Sequence, residues 1–545
     1  MRHRLAVSLL IVLTWASAMF HVSFSFVYTS SKKIEDMVLG EERILNDIQT
    51  AVTQLGDENV ASLFSRFYQE RLPKARERQH DVRLLGSLNH PNYLYHSIKQ
   101  FAAEYEHIRS TLNDSRSPPL QKHLESIAAN EDVIGARNSF IRLQNVYNLK
   151  TSDMINGNYF GFVGPKLSET DVLDIGEAAF NDNKWDNAIS WLQEALRLST
   201  PEQPTAGFWD IEASTTSRGR ILALLGRAYM RQGDKLKAEE FYRKARSARV
   251  EEDSHILTLE SELAVPPATP KTGRIDADFN RLCSLQNKLT LKTFDPRVSC
   301  SYRAAILPYY RFKEELVSVS PYVVLFYDFI TDKEIDVIIT VSRQKLFRGL
   351  IEVNGSSVVD EHRTSDLSFL FDDESPAVLG PLGKKVAAVT NLRTENFVPG
   401  GSYSAEPFQV VNYGMGGHYG LHVDFFRERG VKLGPDTDCS LYGGDRLATF
   451  LMYLTDVERG GSTVFNLVDL AVSPVKKTAL FWYNYKPSGE EDMNTRHAGC
   501  PVVIGHKWVS NKWMWQYGNT FTRRCGLTPE ATQLDIEPYM RKGWV

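Results

Sequence analysis

Apolar residues at helical spacing in the first half and strand-like runs of Val, Phe, Tyr and Trp in the last third predict an α+β multidomain chain. Its N-terminal part is expected to be helical and its C-terminal part an all-β sandwich or barrel. The length agrees: 545 residues correspond to roughly three or four domains of ~150 residues. A hydrophobic fraction of 42% and a charged fraction of 24% exclude collagen-like and wholly disordered chains. The balance of 63 Lys and Arg against 67 Asp and Glu, net −4, argues against a nucleic-acid partner.

The chain starts with two arginines within Met1–Arg4, an apolar run over Leu5–Phe20 and the small-residue site Ala16-Ser17-Ala18. This pattern predicts a signal peptide over 1–18 and a luminal or secreted mature protein. Read as an uncleaved anchor, the run is short for a span of ~20 residues, and no other stretch predicts a stable membrane span. Residues 19–150 then read as a helical region. Ile34, Met37, Val38, Leu45, Ile48, Val52 and Leu55 form a narrow apolar stripe, either a coiled-coil seam for self-association or the core of a bundle. His90-Pro91 and Ser117-Pro118-Pro119 divide the region into several helices.

Residues 151–262 contain an internal repeat. Ile175, Gly176, Ala179, Ala188, Leu192 and Ala195 recur at the same spacings as Leu225, Gly226, Tyr229, Ala238, Tyr242 and Ala245. Small residues that let helices approach, alternating with larger ones that fill between them, give the tetratricopeptide pattern. The repeat distance exceeds the usual ~34 residues, so an insertion at 199–218 is expected. Such helix pairs form a peptide-binding groove or serve as a purely structural module. A Pro-rich stretch at Val265–Pro270 opens a linker and cysteine-bearing segment over 263–320. The β-rich region follows over 321–530, with a helix expected at Lys333–Gln344, and 531–545 form a tail.

Five cysteines, Cys283, Cys300, Cys439, Cys500 and Cys525, lie in this half. Pairing nearest neighbours would join Cys283 to Cys300 and Cys500 to Cys525 and leave Cys439 over, though sequence alone does not fix connectivity. The sequons at Asn113 and Asn354 predict glycosylation and fit an oxidising compartment.

The chemistry concentrates in the β-rich region. His422 and Asp424 are two residues apart, so on a strand both side chains project from one face. With His497 they form the two-His, one-carboxylate set that holds non-haem Fe(II) and leaves positions open for a co-substrate and oxygen. Lys507, ten residues beyond His497, returns along a neighbouring strand if the chain turns at Ile504-Gly505. There its ammonium can anchor the far carboxylate of 2-oxoglutarate in an aromatic pocket. His418 sits on a glycine-rich loop and His506 has the opposite strand parity, so both read as non-ligands. Trp482, Tyr483, Trp508 and Trp513 read as barrel core. Walker, Rossmann, H-E-x-x-H and G-x-S-x-G templates find no match.

Those residues, with Gly460-Gly461-Ser462-Thr463-Val464-Phe465, Phe481-Trp482-Tyr483-Asn484, Thr495-Arg496-His497, Lys507–Trp513 and the N-terminal Arg142–Leu149, resemble the collagen prolyl 4-hydroxylase alpha-subunit family over nearly the whole mature chain. The resemblance implies a C-terminal double-stranded β-helix (jelly-roll) dioxygenase domain with Fe(II) on His422, Asp424 and His497. It implies that Lys507 holds 2-oxoglutarate, helped by Tyr413 and Thr463. Arg446 and Tyr419 are placed on the substrate side, and Phe180 and Tyr229 in the peptide groove.

The family further implies O2 as oxidant, ascorbate as reductant, an N-terminal dimerisation region and procollagen or collagen-like Pro-rich peptides as substrate. Its second subunit is protein disulfide isomerase in an α2β2 tetramer in the endoplasmic-reticulum lumen. Retention is expected from that partner, because the C-terminus carries no retrieval motif. The family's two disulfides map onto Cys283 with Cys300 and Cys500 with Cys525. Other expected activities are hydroxylation of another secreted substrate, or a catalytically weak Pro-rich-peptide-binding chaperone subunit. Trp515, Gly420-Leu421, Asn466 and Lys477 depart from the better-known members, where Lys477 replaces a turn glycine.

Overall fold

The first described helix starts where Ser30 accepts the Lys33 amide on its side-chain oxygen at 3.2 Å, satisfying one of the amides a helix start leaves unpaired. The protein is described here from a computed structural model covering residues 26–80, 88–113, 123–199, 210–247, 254–264, 277–285, 295–304, 310–353, 356–395, 404–426 and 444–540. The signal segment 1–18, Asn354, Cys439 and the side chain of Asn113 lie outside the described residues.

Among the described residues the N-terminal region has five helices: α1 (Ser31–Leu39), α2 (Glu41–Leu55), α3 (Glu58–His80), α4 (Pro91–Asn113) and α5 (Asn130–Tyr147). Within the single chain the apolar stripe faces inward, with only Leu55 at its end half-buried. Ile34, Met37, Val38, Leu45, Ile48 and Val52 are at most 1% exposed within the single chain, in one core with Tyr95, Phe101 and Phe140. The break at Gly40 explains this: the stripe belongs to two helices, and each turns its share into the bundle.

After α6 (Thr151–Ile155), the repeat region folds as α7 (Glu169–Asn181), α8 (Trp185–Leu198), α9 (Asp210–Gln232), α10 (Lys235–Ser247) and α11 (Ser254–Leu263). A Cβ at Gly176 would stand 3.0 Å from the Leu192 side chain, and one at Gly226 would stand 2.4 Å from Leu259. Both glycines are therefore points of close helix approach. Phe180 and Tyr229 are each covered by a cation, the Arg227 guanidinium 5.0 Å from the Phe180 ring centre and the Lys237 ammonium 4.9 Å from that of Tyr229.

The C-terminal half is built on two sheets. In chain order their strands are β1 (Cys300–Ala304), β2 (Arg311–Ser318), β3 (Val323–Tyr327), β4 (Phe347–Arg348), β5 (Arg363–Thr364), β6 (Asp366–Leu370), β7 (Phe408–Tyr413), β8 (His418–His422), β9 (Arg446–Tyr453), β10 (Thr463–Phe465), β11 (Leu470–Val472), β12 (Ala479–Tyr483), β13 (His497–Gly499) and β14 (Lys507–Trp515). The larger sheet has nine strands in the order β1-β2-β3-β12-β9-β14-β7-β6-β4, and the smaller five, β11-β10-β13-β8-β5. Leu325, Val411, Leu451, Phe465, Leu470, Trp482 and Val509 interlock between them. On the other face of the larger sheet, α13 (Asp332–Ser342) and α14 (Leu379–Thr390) pack Ile338, Leu382 and Val386 against Phe408, Phe450 and Phe481. The helix expected at 333–344 is α13, opened by a reciprocal Thr331 and Glu334 capping box.

The bundle and the smaller sheet share one core. Met415, Val464, Ala498, Val503 and Ile504 belong to the same buried cluster as the helices. Helix α5 is the main brace: Arg142 Nη1 donates to the Gly416 carbonyl at 2.8 Å and the Tyr147 hydroxyl to the Pro501 carbonyl at 2.5 Å.

The cysteine pairing differs from both short-loop expectations. A disulfide joins Cys283, on α12 (Ala277–Ser284), to Cys500, just beyond β13, with a Cα separation of 5.6 Å. Cys300 and Cys525 are free and exposed. Cys300 lies on β1 at the edge of the larger sheet, whereas α12 packs against β10 and β11 of the smaller one. The fold therefore places the sequence neighbours in different layers and brings the buried Cys283 and Cys500 together.

Candidate active site

Strand β8 pairs antiparallel with β13, and the register sets His422 opposite His497. A bulge between Tyr419 and His422 adds a residue to β8, so that both rings face the same cavity. They stack at 3.6 Å between centroids. Asp424 follows two residues later, just beyond the end of β8. One ligand atom from each of His422, Asp424 and His497 falls within 4.8 Å of the others. His422 Nε2 is 3.7 Å and His497 Nε2 3.8 Å from the Asp424 carboxylate.

Backbone carbonyls fix both imidazoles. His422 Nδ1 lies 2.8 Å from the Gly420 carbonyl and His497 Nδ1 2.9 Å from that of Thr495. Each carbonyl can only accept, so each Nδ1 carries a proton and each Nε2 is turned to the cluster. Asp424 is buried and accepts the Thr449 hydroxyl at 2.6 Å. Burial pushes its carboxyl upward, but His497, His422 and Arg446 outweigh that and hold it well below the usual carboxylate range. A carboxylate and two imidazoles with Nε2 turned toward it form a donor set suited to Fe(II).

Lys507 opens β14 directly opposite Tyr413 on β7, after the turn at Gly505 with φ 106°. Its side chain is 2% exposed and its ammonium lies 4.7 Å from the Tyr413 ring centre. Among the described residues no carboxylate forms an ion pair with it, and burial alone pushes it down to about 7. A Cβ on Gly499 would stand 3.5 Å from both the Lys507 ammonium and the Tyr413 hydroxyl, so glycine keeps that space open. Thr463 lines the same cavity and accepts the Tyr453 hydroxyl at 2.8 Å. An uncompensated cation in an enclosed site beside a metal-ligand trio suits a dicarboxylate such as 2-oxoglutarate.

The cavity thus brings together His422, Asp424, His497, Lys507, Tyr413, Thr463 and Tyr419. Arg446 stands outside its lining. Glu406 pairs with it at 2.5 Å, Trp513 stacks on it at 3.8 Å, and it points toward the Asp424 carbonyl at 3.5 Å. Phe180 and Tyr229 lie in the helical repeat. His418 faces Thr364 Oγ1 at 3.2 Å, and the His506 carbonyl accepts the Thr455 hydroxyl. Trp482 and Trp513 are cavity walls as well as packing groups, Trp482 standing 4.8 Å from His497. Sequence reasoning missed Arg363, Gln409 and Asn511 in the lining and Thr449 behind Asp424. Only sheet register brings them there, and no local spacing marks them.

Comparison with known proteins agrees with this geometry. Residues 408–515 match the model of the 2OG-Fe(II) oxygenase superfamily, and residues 30–161 that of the prolyl 4-hydroxylase alpha-subunit N-terminal region. Prolyl 4-hydroxylase subunit alpha-2 of Caenorhabditis elegans is 31% identical over 485 residues, covering 83% of this chain and 86% of its own length. The alpha-2 subunit of Gallus gallus is 29% identical, covering 95% of this chain and 98% of its own. A crystal structure of a viral collagen prolyl hydroxylase from Paramecium bursaria Chlorella virus-1, in complex with 2OG, is 28% identical over 35% of this chain and 95% of its own, with a TM-score of 0.27. The chain is an Fe(II)- and 2-oxoglutarate-dependent dioxygenase. With both halves matched and relatives that run almost its full length, it belongs to the family of prolyl 4-hydroxylase alpha subunits.

Proposed function

We propose that this chain is the alpha subunit of a procollagen-proline 4-dioxygenase of the endoplasmic-reticulum lumen, hydroxylating C4 of proline in X-Pro-Gly sequences. The observation that carries the reading is the buried Lys507 ammonium, without a carboxylate partner among the described residues, in one cavity with His422, Asp424 and His497. Bound Fe(II) supplies the oxygen chemistry: one atom of O2 enters the proline C–H bond, and the other enters succinate as 2-oxoglutarate loses carbon dioxide.

The chain's own groups place the reactants. The two Nε2 atoms and the Asp424 carboxylate define the metal position, and Thr449 keeps that carboxylate oriented. Lys507 neutralises the far carboxylate of 2-oxoglutarate, with the Tyr413 hydroxyl and Thr463 beside it. Val411, Leu451, Trp482 and Val509 exclude water from that end. Arg446, held by Glu406, and Tyr419, stacked on His422, flank the side from which a peptide enters. Ascorbate would be the reductant that keeps a metal held by His422, Asp424 and His497 in the Fe(II) state.

The tetratricopeptide-like helices α7–α11 hold a Pro-rich stretch of the substrate on the side carrying Phe180 and Tyr229. Protein disulfide isomerase is the second subunit of an α2β2 assembly and supplies its retention. The test is co-expression with that isomerase and incubation with a Pro-Pro-Gly repeat peptide, Fe(II), 2-oxoglutarate, ascorbate and O2. Mass spectrometry should find oxygen added to proline, abolished by His422→Ala and by Lys507→Ala. An iron-loaded assembly that binds the peptide and leaves it unmodified overturns the reading.

A further inference from the structure

Residues 27–30 lie ahead of the first helix and Ser31 opens it, yet Val27, Tyr28, Thr29, Ser30 and Ser31 are all at most 4% exposed. Four of the five carry hydroxyls, and burying a hydroxyl without a partner costs more than its packing returns. Every one of these hydroxyls has a partner, and most of those partners lie on two strands of the catalytic sheet. Thr29 Oγ1 donates to Asp366, and Lys33 pairs with the same fully buried carboxylate. Ser30 Oγ donates to Asn412 Oδ1 at 2.6 Å, and the Lys32 amide adds to that oxygen at 3.1 Å. Asn412 Nδ2 donates to Ser31 Oγ at 3.1 Å. Asp366 and Asn412 are direct cross-strand partners on β6 and β7.

The same segment is fixed from its other side by α5. Asp132 accepts the Val27 and Tyr28 amides at 2.6 and 3.0 Å, and Gly135 leaves room for the Tyr28 ring, which a Cβ there would meet at 2.2 Å. The strap then runs onto Gly414. The Gly414 amide donates to the Thr29 carbonyl at 2.9 Å, and a Cβ on Gly414 would fall 2.0 Å from the Tyr28 carbonyl oxygen. No side chain fits between the strap and this residue.

These contacts converge on the co-substrate site without entering it. Gly414 follows Tyr413. Asn412 precedes it, and its Nδ2 also reaches the Lys507 carbonyl at 3.4 Å. Tyr413 and Lys507 are opposite each other in register. The strap is thus hydrogen-bonded on both sides of Tyr413 and, through Asn412, to the backbone of Lys507. None of the hydrogen bonds described above for the strap goes to His422, Asp424 or His497.

We propose that residues 27–33 are a positioning element for 2-oxoglutarate, holding the ends of β7 and β14 so that the Lys507 ammonium and the Tyr413 hydroxyl stay at the spacing the dicarboxylate requires. The proposal rests on the dioxygenase reading and assigns co-substrate affinity, but not metal affinity, to a segment far away in sequence.

The test uses the full chain co-expressed with the isomerase, carrying Thr29→Val with Ser30→Ala, and Thr29→Ser as the conservative control. With Mn(II) in place of iron and no oxygen, 2-oxoglutarate binding is followed by tryptophan fluorescence, alongside Mn(II) binding itself and steady-state turnover. Expected is an increase of about tenfold in Kd and KM for 2-oxoglutarate, with metal affinity and kcat within about twofold and the Thr29→Ser chain near wild type. Unchanged 2-oxoglutarate affinity in a less stable variant overturns the proposal and leaves the strap a structural tie.

Hydrogen exchange on the unmutated chain gives an answer that does not depend on a variant folding. Added 2-oxoglutarate should protect the amides of 28–33 together with those of 412–414. Protection confined to 412–414 and the start of β14 also overturns it. Failure of the wild-type chain to bind 2-oxoglutarate defeats the dioxygenase reading itself, and is recognised because no variant is involved.

Discussion

Lys507 shows how one residue couples burial to ligand choice. Its ammonium is driven down to about 7 because it has lost water and gained no counter-charge. Bound 2-oxoglutarate supplies the missing charge and raises it again, so binding above pH 7 takes up a proton. The affinity for 2-oxoglutarate should therefore fall by about tenfold per pH unit between about pH 7 and 9, measured by titration at fixed metal. Lys507→Met should bind weakly at every pH and lose that slope. The sign for stability without ligand is opposite: the unfolded chain binds the extra proton above pH 7, so Lys507 destabilises the fold least at high pH. Thr449 is the corresponding test for the metal. Thr449→Val removes the 2.6 Å hydrogen bond to Asp424 and should weaken Fe(II) binding by about 10–100-fold, read from metal competition.

At the scale of elements, a turn residue makes a prediction of its own. Lys477 has φ 73°, a left-handed backbone that costs a side-chain-bearing residue and suits glycine. Its carbonyl accepts the Phe329 amide at 2.8 Å and its amide donates to the Tyr453 carbonyl at 3.0 Å, so the conformation is locked. Lys477→Gly should raise the thermal midpoint by about a degree or two with turnover unchanged.

The same scale separates what the sequence discloses from what it conceals. His422 and Asp424 are legible because a strand repeats every two residues, and Lys507 because a glycine turn returns the chain beside Tyr413. The α13 start is legible in its Thr331 and Glu334 pair. Thr449, Arg363 and Gln409 are not, because their roles depend on which strand lies next to which, a non-local choice that leaves no spacing signal. The apolar stripe of α1 and α2 was visible as a pattern. Its direction was not, since a seam and a bundle core have the same period and only the Gly40 break decides between them.

For the whole molecule, the governing fact is that bundle and smaller sheet share a core. A fragment limited to residues 321–530 would expose Met415, Val464, Ala498, Val503 and Ile504 to water and lose α5, α12 and the strap. Such a fragment should be recovered as aggregate, checked by size-exclusion chromatography against the full chain. The cross-link is testable in the intact protein. Peptide mapping without reduction should recover Cys283 joined to Cys500 and should find Cys300 and Cys525 open to alkylation. Cys283→Ser should lower unfolding stability by about 2–4 kcal/mol, measured by denaturant titration.

That connectivity also governs how the protein is made. A bond between residues 217 apart cannot close until the strands ending near Cys500 have been synthesised, and during that interval Cys283 shares the nascent chain with the nearby Cys300. A thiol that waits this long either stays reduced or enters a premature short loop that later has to be exchanged. The order in which the chain is made therefore sets when this bond can form, after the helical region and most of the strands are already synthesised.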